Sequence, residues 1–281
     1  MTALPWTLAA FALVAGLHPS PKPGVGRAQE PEPREQDLIF DHAHAAWTRV
    51  LARCVKGERF DYKLLSASRG VLDEYLLRLR GVQERDFATW TREQRLAFWI
   101  NAYNAFTVQL VLTRYPIQSI QDIGTEAEPV WEKAFIPLGH LIGKLEAEKI
   151  SLDTLEHEIL RAQFEEARVH AALRRAAESG PPLRAEAYQA EKLERQLDLQ
   201  ARAWLADPRL NRFDRERGRV QLSALFDWRE ADFVRDADSL QAWLARFAPE
   251  DERAWLRDAE TLEIDYLPFS WKLDDLEREQ R

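Results

Sequence analysis

The fold of this chain is decided by one stretch of sequence, TREQRLAFWINAYNAFTVQLVLTR at residues 91–114. Its apolar side chains recur at helical spacing, which predicts an amphipathic helix with one buried face. Thr91 and Gln94 have the spacing of a capping box at its start, and Pro116 prevents its continuation. The sequence therefore predicts one long central helix whose buried face is formed by Leu96, Trp99, Ala102, Tyr103, Phe106 and Leu110.

Two asparagines, Asn101 and Asn104, lie three residues apart beside this buried face. Asparagine is unfavourable in the interior of a helix, so two of them in a strong helix need a reason. One reason is hydrogen bonding to loops that pack on the helix. The other is that both amides line a polar pocket and bind a ligand, and the sequence leaves both open.

A second helix is predicted to start at Ser151, which has the side chain of a good N-cap. Glu156 falls in the middle of its apolar face, and His157 lies at the flank. A carboxylate on an apolar face is unfavourable unless it is paired or protonated. Glu156 is therefore either a buried acid satisfied by a tryptophan N–H, the backbone or an arginine, or an acid–base or orienting group. The apolar face itself consists of Leu152, Leu155, Ile159 and Leu160.

The remaining patterns predict an α+β fold, predominantly helical with a small sheet, in a single domain. Residues 168–179 have helical spacing, but a strand followed by a loop is the alternative, and the sequence does not decide between them. The further helices are predicted at 38–56, 66–80, 185–206, 238–247 and 250–257, and the strands at 219–226 and 262–266.

The N-terminal segment has the pattern of an export signal. An apolar run, Trp6–Leu17, is followed by Gly-Arg-Ala at 26–28, which is a small-x-small cleavage site. We predict a signal peptide at 1–28, a linker at 29–37 and the domain at 38–281. No Lys or Arg precedes the run, which is unusual for a signal and leaves a disordered tail or an uncleaved anchor as alternatives. The expected location is the periplasm or the extracellular space, with no membrane span in the mature chain.

Charge and composition limit the partners that this chain can have. The formal net charge is −8 at pH 7, which argues against nucleic acid and anionic membrane surfaces as partners. We expect an unidentified small molecule or protein as partner, and no cofactor. Cys54 is the single cysteine, so no internal disulfide is possible.

Several side chains are candidates for a metal or ligand site. His140, His157 and His170 could converge with Glu156 on a metal, but no tight spacing supports this. We therefore assign no metal ligands. The tryptophans Trp131, Trp228 and Trp271 are either core residues or the lining of a cleft for a sugar or a peptide.

A basic cluster stands out in this acidic chain. Its guanidinium groups either form local salt bridges with neighbouring glutamates or bind a carboxylate or phosphate ligand. Within it we predict Arg175 and Arg184 as ligand-binding residues. The cluster consists of Arg168, Arg174, Arg175 and Arg184.

Six ordered segments resemble the family known as domain of unknown function 547, from about residue 38 to 275. The resemblance implies an exported protein with a thiol site, in which a histidine generates a thiolate and an acid orients the histidine. The family's two cysteines fall on Arg175 and Gly180 here, and neither residue can act as a nucleophile. Ser179 remains beside Gly180, but an alcohol would need a dedicated base. The segments are FWINAYN at 98–104, SLDTLEH at 151–157, RVHAAL at 168–173, PPLRAEAY at 181–188, VQLS at 220–223 and YLPFSW at 266–271.

These observations predict a pocket and three possible functions for it. The first is a protein that has lost thiol chemistry and binds a ligand or partner. The second is a hydrolase or transferase that uses Glu156, His157 and His170 as catalytic residues without a cysteine. The third is a metal-dependent enzyme, and a structural role without a ligand is a further possibility. The pocket is expected to be lined by Asn101, Asn104, Glu156, His157, His170 and the loop 175–183.

Overall fold

The long helix predicted at residues 91–114 spans Arg92–Leu112 in a computed structural model that describes residues 40–143 and 148–277. The predicted capping box forms, because the Thr91 hydroxyl accepts a hydrogen bond from the Gln94 backbone N–H at 3.2 Å. The Gln94 side chain in turn accepts one from the Thr91 N–H at 2.9 Å. The predicted signal peptide and linker lie outside the described residues.

Helices make up most of the described chain. The prediction of a predominantly helical fold is therefore confirmed. A π-helical segment, Thr154–Arg161, carries Glu156 and runs directly into a short α-helix. The α-helices are Ala45–Cys54 (α1), Tyr62–Ser66 (α2), Gly70–Arg80 (α3), Glu84–Phe87 (α4), Arg92–Leu112 (α5), Ala162–Phe164 (α6), Val169–Ala172 (α7), Leu193–Leu205 (α8), Ala224–Trp228 (α9), Glu230–Ala237 (α10), Leu240–Phe247 (α11) and Glu250–Asp258 (α12).

Two small sheets accompany the helices within residues 40–143 and 148–277, which confirms the predicted α+β class. A hairpin pairs two short strands, and a second sheet has three strands in the order β3-β4-β5. In that sheet β3 is antiparallel to β4, whereas β4 and β5 are parallel. The strands are Val55–Lys56 (β1), Arg59–Phe60 (β2), Arg212–Asp214 (β3), Arg219–Ser223 (β4) and Glu263–Leu267 (β5).

The described residues form two apolar clusters in the interior. The larger surrounds α5, which is buried along most of its length because helices and loops cover it on all sides. In the smaller cluster the Trp204 ring stacks on Phe226 at 4.3 Å between centroids. The described residues form one compact unit. Within the described ranges, no helix combines the length and the apolar character needed to cross a membrane.

The open question about residues 168–179 has a definite answer. Only Val169–Ala172 is helical. Leu173 is extended, and Ala176 has a φ of +50°. The Asn104 side chain bonds to the backbone at this point, so it replaces the bonds that a longer helix would make.

The predicted helix at 185–206 also starts later than expected. The helix α8 begins at Leu193, because the backbone of Tyr188 is paired with the side chain of Asn101. The predicted strand at 219–226 ends at Ser223, whose side chain accepts a hydrogen bond from the Leu225 N–H and caps α9. Both differences come from side chains that bond to the backbone, an effect that apolar periodicity does not report.

Candidate functional site

A buried ion pair between Glu156 and Arg175 forms the centre of the site. Arg175 Nη1 donates to Glu156 Oε2 at 2.5 Å and Nη2 donates to Oε1 at 2.9 Å, so the pair is bidentate. Glu156 is 1% exposed and Arg175 is 5% exposed. Arg175 Nη1 also donates to the Tyr103 hydroxyl at 3.2 Å. The acid that the sequence singled out is thus satisfied by an arginine.

The loop after α7 brings Arg175 into this position. Asn104 holds the loop at its base, since its side chain accepts from the Arg174 N–H at 2.7 Å and donates to the Ala172 carbonyl at 2.9 Å. Gly180 closes the loop against Arg175. A Cβ atom at position 180 would lie only 3.1 Å from Arg175 Cβ and 3.1 Å from the Ala177 carbonyl oxygen. A larger residue at 180 would therefore crowd the buried guanidinium.

The charges in the pair are fixed by their mutual contact. Burial by itself raises the pKa of Glu156, but the charge and the hydrogen bonds of Arg175 outweigh it and hold that pKa well below its usual range. Burial lowers the pKa of Arg175, but the contact with Glu156 raises it by more. The net pKa lies above the ordinary value of arginine, so the guanidinium stays protonated. Glu156 is consequently an ionised, fully paired carboxylate, and it has no proton to donate at neutral pH.

A second acid, Asp232, holds the buried His170. The distance from His170 Nε2 to Asp232 Oδ2 is 2.7 Å, and both side chains are buried. Asp232 also accepts from Arg161 Nε at 2.5 Å and pairs with Arg235 Nη1 at 3.1 Å. Burial opposes ionisation of Asp232, yet the hydrogen bonds from His170 and Arg161 hold its pKa below the ordinary value.

His170 keeps one ring nitrogen without a hydrogen-bond partner. Burial lowers the pKa of His170, which favours the neutral ring. The neutral ring donates its Nε2–H to Asp232 and leaves Nδ1 as an acceptor. Nδ1 lies 4.0 Å from Glu156 Oε1 and has no hydrogen-bond donor among the described residues. This is an oriented acid–histidine pair whose free nitrogen lies beside the Glu156–Arg175 pair.

His157 contacts two arginines, Arg161 and Arg229, which also donate to Asp232 and Glu156. Arg161 Nη1 donates to His157 Nδ1 at 2.7 Å, and Arg229 Nη2 lies 3.5 Å from its Nε2. Burial lowers the pKa of His157, so the ring is mainly neutral near pH 7. Its second nitrogen lies 3.7 Å from Asp153 Oδ1. Two cationic neighbours make His157 a poor candidate for a general base.

The two asparagines have backbone partners and do not line the pocket described below. Asn101 donates to the Tyr188 carbonyl at 2.8 Å and accepts from the Tyr188 N–H at 3.0 Å. Arg184 donates to Glu186 at 2.5 Å, and its guanidinium lies 5.9 Å from the centroid of the Tyr188 ring. Asn101, Asn104 and Arg184 thus hold loops, and none of them is part of the lining of the pocket beside the Glu156–Arg175 pair.

A pocket of about 190 Å³ opens beside the ion pair. The three tryptophans singled out from the sequence meet there. Arg175 lines the pocket and is also the arginine of the ion pair. Arg229, which the sequence did not single out, connects the pocket with the ion pair. It lines the pocket, and its Nε donates to Glu156 Oε1 at 3.2 Å. Of the predicted loop 175–183, only Arg175 contributes to this lining. The lining residues are Trp131, Asp153, Arg175, Leu225, Trp228, Arg229 and Trp271.

Other candidates from the sequence have ordinary structural partners. His140 Nε2 lies 2.9 Å from the Val82 carbonyl oxygen. Cys54 is buried in the larger core cluster, where burial raises its pKa to about 11. Ser179 accepts a hydrogen bond from the Ser270 N–H at 2.8 Å. Among residues 40–143 and 148–277, no group of three or more His, Cys, Asp or Glu side chains is arranged to hold a metal.

Asp232 and Arg229 are the main residues that sequence reasoning missed. They lie 62 residues from His170 and 73 residues from Glu156, respectively. Neither lies in a quoted segment of the resemblance. The structure buries Asp232 and Phe233 on the short helix α10, and no local sequence pattern had marked Asp232 as buried.

Comparison with known families gives one result. Residues 87–205 match the model of the family described as "Protein of unknown function, DUF547". No curated protein and no solved structure matches the chain significantly. The match includes Glu156, His170 and Arg175, whereas Arg229 and Asp232 lie beyond it. Residues 87–205, which are less than half of the 281-residue chain, are therefore similar to the DUF547 family of proteins of unknown function.

Proposed function

We propose that this protein is an exported binding protein whose site takes a ligand or partner and lacks nucleophilic chemistry. The observation that supports this is the bidentate contact between Arg175 and Glu156. A protonated guanidinium has no lone pair with which to attack a carbonyl carbon. It fills the centre of the site, where the resemblance implies a thiol.

The burial of His170 is a second observation that supports binding over catalysis. His170 is fully buried, and its free Nδ1 lies beside Glu156. A general base must come within hydrogen-bond reach of the proton that it abstracts. His170 cannot do so from this position unless the site opens. The pocket beside it, by contrast, is open and contains Arg229, whose side chain is 20% exposed.

The proposal of export rests on the apolar run Trp6–Leu17 and the Gly-Arg-Ala site at 26–28. It is tested by expressing the full chain in a bacterium and sequencing the N-terminus of the protein in the periplasmic and culture fractions. A mature N-terminus at residue 29 supports export. Full-length protein confined to the cytosol contradicts it.

The absence of nucleophilic chemistry is tested with chromogenic ester and peptide-amide substrates. The wild-type protein is compared with the Arg175→Cys and His170→Ala variants. We expect wild-type turnover to equal that of His170→Ala. Labelling by iodoacetamide should rise only in Arg175→Cys, because Cys54 is buried and its pKa is raised. A Cys54→Ala background confirms which thiol reacts.

An enzyme without a cysteine nucleophile is the second candidate, and the His170–Asp232 contact is the observation that favours it. An oriented histidine with a free nitrogen can activate water if the site opens. Wild-type turnover that is lost in both His170→Ala and Asp232→Asn would establish this candidate and overturn the binding proposal.

A further inference from the structure

We infer that the aromatic pocket beside the Glu156–Arg175 pair binds a neutral sugar ring. This inference rests on the proposed binding function and names its ligand class. The pocket joins three chain segments that are distant in sequence, and each contributes one tryptophan: Trp131, Trp228 and Trp271.

The aromatic rings form a continuous surface. Trp131 and Trp271 have centroids 5.3 Å apart, and Trp271 is parallel to Trp228 within 9° at 6.2 Å. Phe269 contacts both Trp228 and Trp271, at 5.1 and 4.5 Å. Trp228 is 42% exposed, which makes it one of the most exposed large apolar side chains described. An exposed aromatic face of this kind binds the C–H face of a saturated ring by dispersion and apolar contact.

Polar groups at the rim match hydroxyl groups. Asp153 has a 41% exposed side chain, so its carboxylate can accept hydrogen bonds. Arg229 lies beside it as a partly exposed donor. Arg175 also lines the pocket, but its Nε is buried, so it contributes charge to the wall and no exposed donor. A hydroxyl both donates and accepts, so one sugar ring can bond to Asp153 and Arg229 together.

Charge and size narrow the ligand further. Glu156 and Asp153 carry two negative charges, and Arg175 and Arg229 carry two positive charges, so these four side chains balance. A strongly anionic ligand, such as a phosphate, would find no excess positive charge among them. The volume of about 190 Å³ corresponds to roughly six water molecules, at about 30 Å³ each. This is room for one ring.

A peptide is the less favoured ligand. Recognition of an extended peptide needs either an exposed sheet edge or a long groove. The pocket is short, and its lining includes no residue of the strands β1 to β5.

The inference is tested by saturation-transfer NMR on the full-length protein. The probes are methyl β-D-glucopyranoside, N-acetylglucosamine, glucuronate and the dipeptide alanyl-alanine. We expect saturation of the ring C–H protons of the neutral sugars, with a dissociation constant of about 1 mM, as for other ligands of this size. Trp228→Ala should weaken binding about tenfold, since it removes the exposed aromatic face.

Matched variants separate a local effect from loss of folding. Trp228→Phe retains an aromatic face and should restore most of the affinity. Leu77→Ala, which changes an apolar residue exposed to 64% outside the pocket, should leave affinity unchanged. Circular dichroism of each variant confirms the fold.

The other outcomes overturn the inference in distinguishable ways. Binding of alanyl-alanine or glucuronate alone refutes a neutral sugar but leaves the proposed binding function standing. Sugar binding that is equal in wild type and Trp228→Ala refutes the pocket. No binding of any probe, together with wild-type turnover that depends on His170, overturns the inference and the proposed function together.

Discussion

Two buried polar regions lie close to the central helix, and they are built on opposite principles. Asn101 and Asn104 are neutral amides that each donate to one backbone carbonyl and accept from one backbone N–H. The cluster of Glu156, His170 and Arg175 consists of ionisable groups. It leaves His170 Nδ1 and Arg175 Nε without hydrogen-bond partners among the described residues.

The difference separates structural polarity from polarity available for function. Buried polar groups in native proteins are almost always satisfied, and the asparagines follow that rule completely. The ionic cluster violates it at two nitrogens, and it borders an open pocket. Burial alone therefore does not identify a site in this protein.

We expect the largest loss of stability from a substitution at Asp232. Asp232→Ala removes the carboxylate that accepts from His170 and Arg161, and so leaves the buried His170 and the partly exposed Arg161 without their partner. We expect a loss of about 3 kcal/mol in the free energy of unfolding, measured with urea. Asp265→Ala, which removes the acid from the half-exposed pair with Arg219, should lose clearly less, because water screens an exposed ion pair. Equal losses would show that the ionic cluster is no more coupled than a surface pair.

A smaller effect is expected at Asn104. Asn104→Ala leaves the Ala172 carbonyl and the Arg174 N–H without their partner, which should reduce stability by about 2 kcal/mol. Asn101→Ala should have a similar effect through Tyr188. Only Asn104→Ala should also increase hydrogen exchange in residues 172–176, because Asn104 holds the loop that places Arg175. If both variants leave that loop protected, the loop does not depend on Asn104.

The smallest expected effect is the loss of stability when the pH is lowered. Burial lowers the pKa of His170, and it lowers that of His44 to about 3. Above the unfolded pKa of about 6.5 both rings are neutral whether the chain is folded or unfolded, so the fold is at its full stability. Below that pH the unfolded chain binds protons that the buried rings do not, so the free energy of unfolding decreases until the folded pKa is reached. We expect a loss of about 1 kcal/mol from His44 alone between pH 7 and 5.5. His44→Gln should retain a residual pH dependence from His170. No decrease in that range would contradict the neutral state of both rings.

The sequence was informative where the structure depends on local spacing. The helix from Arg92 to Leu112 and its capping box follow from apolar periodicity and from Thr91 and Gln94, which act within one turn. Glu156 could be recognised as buried because its neighbours on the helix are apolar. These features need no information about distant residues.

The features that the sequence did not predict depend on contacts between distant segments. Asn104 ends the helical structure after Ala172, although the local sequence favoured a longer helix. Asp232 reaches His170 across 62 residues, and nothing in the local pattern of either segment specifies the other. The three tryptophans of the pocket could be suggested as a cleft, but their meeting with Arg229 follows only from the packing of α9 and the C-terminal segment.

Arg175 is the buried partner of Glu156 at the centre of this site, and a double-mutant cycle measures that pairing directly. The free energy of unfolding is determined for the wild type, Glu156→Gln, Arg175→Met and the double variant. We predict a coupling energy of at least about 2 kcal/mol, because the pair is bidentate and buried. A coupling energy below about 0.5 kcal/mol would show that Arg175 does not neutralise this acid in solution, and the interpretation of the site as one without a nucleophile would fail.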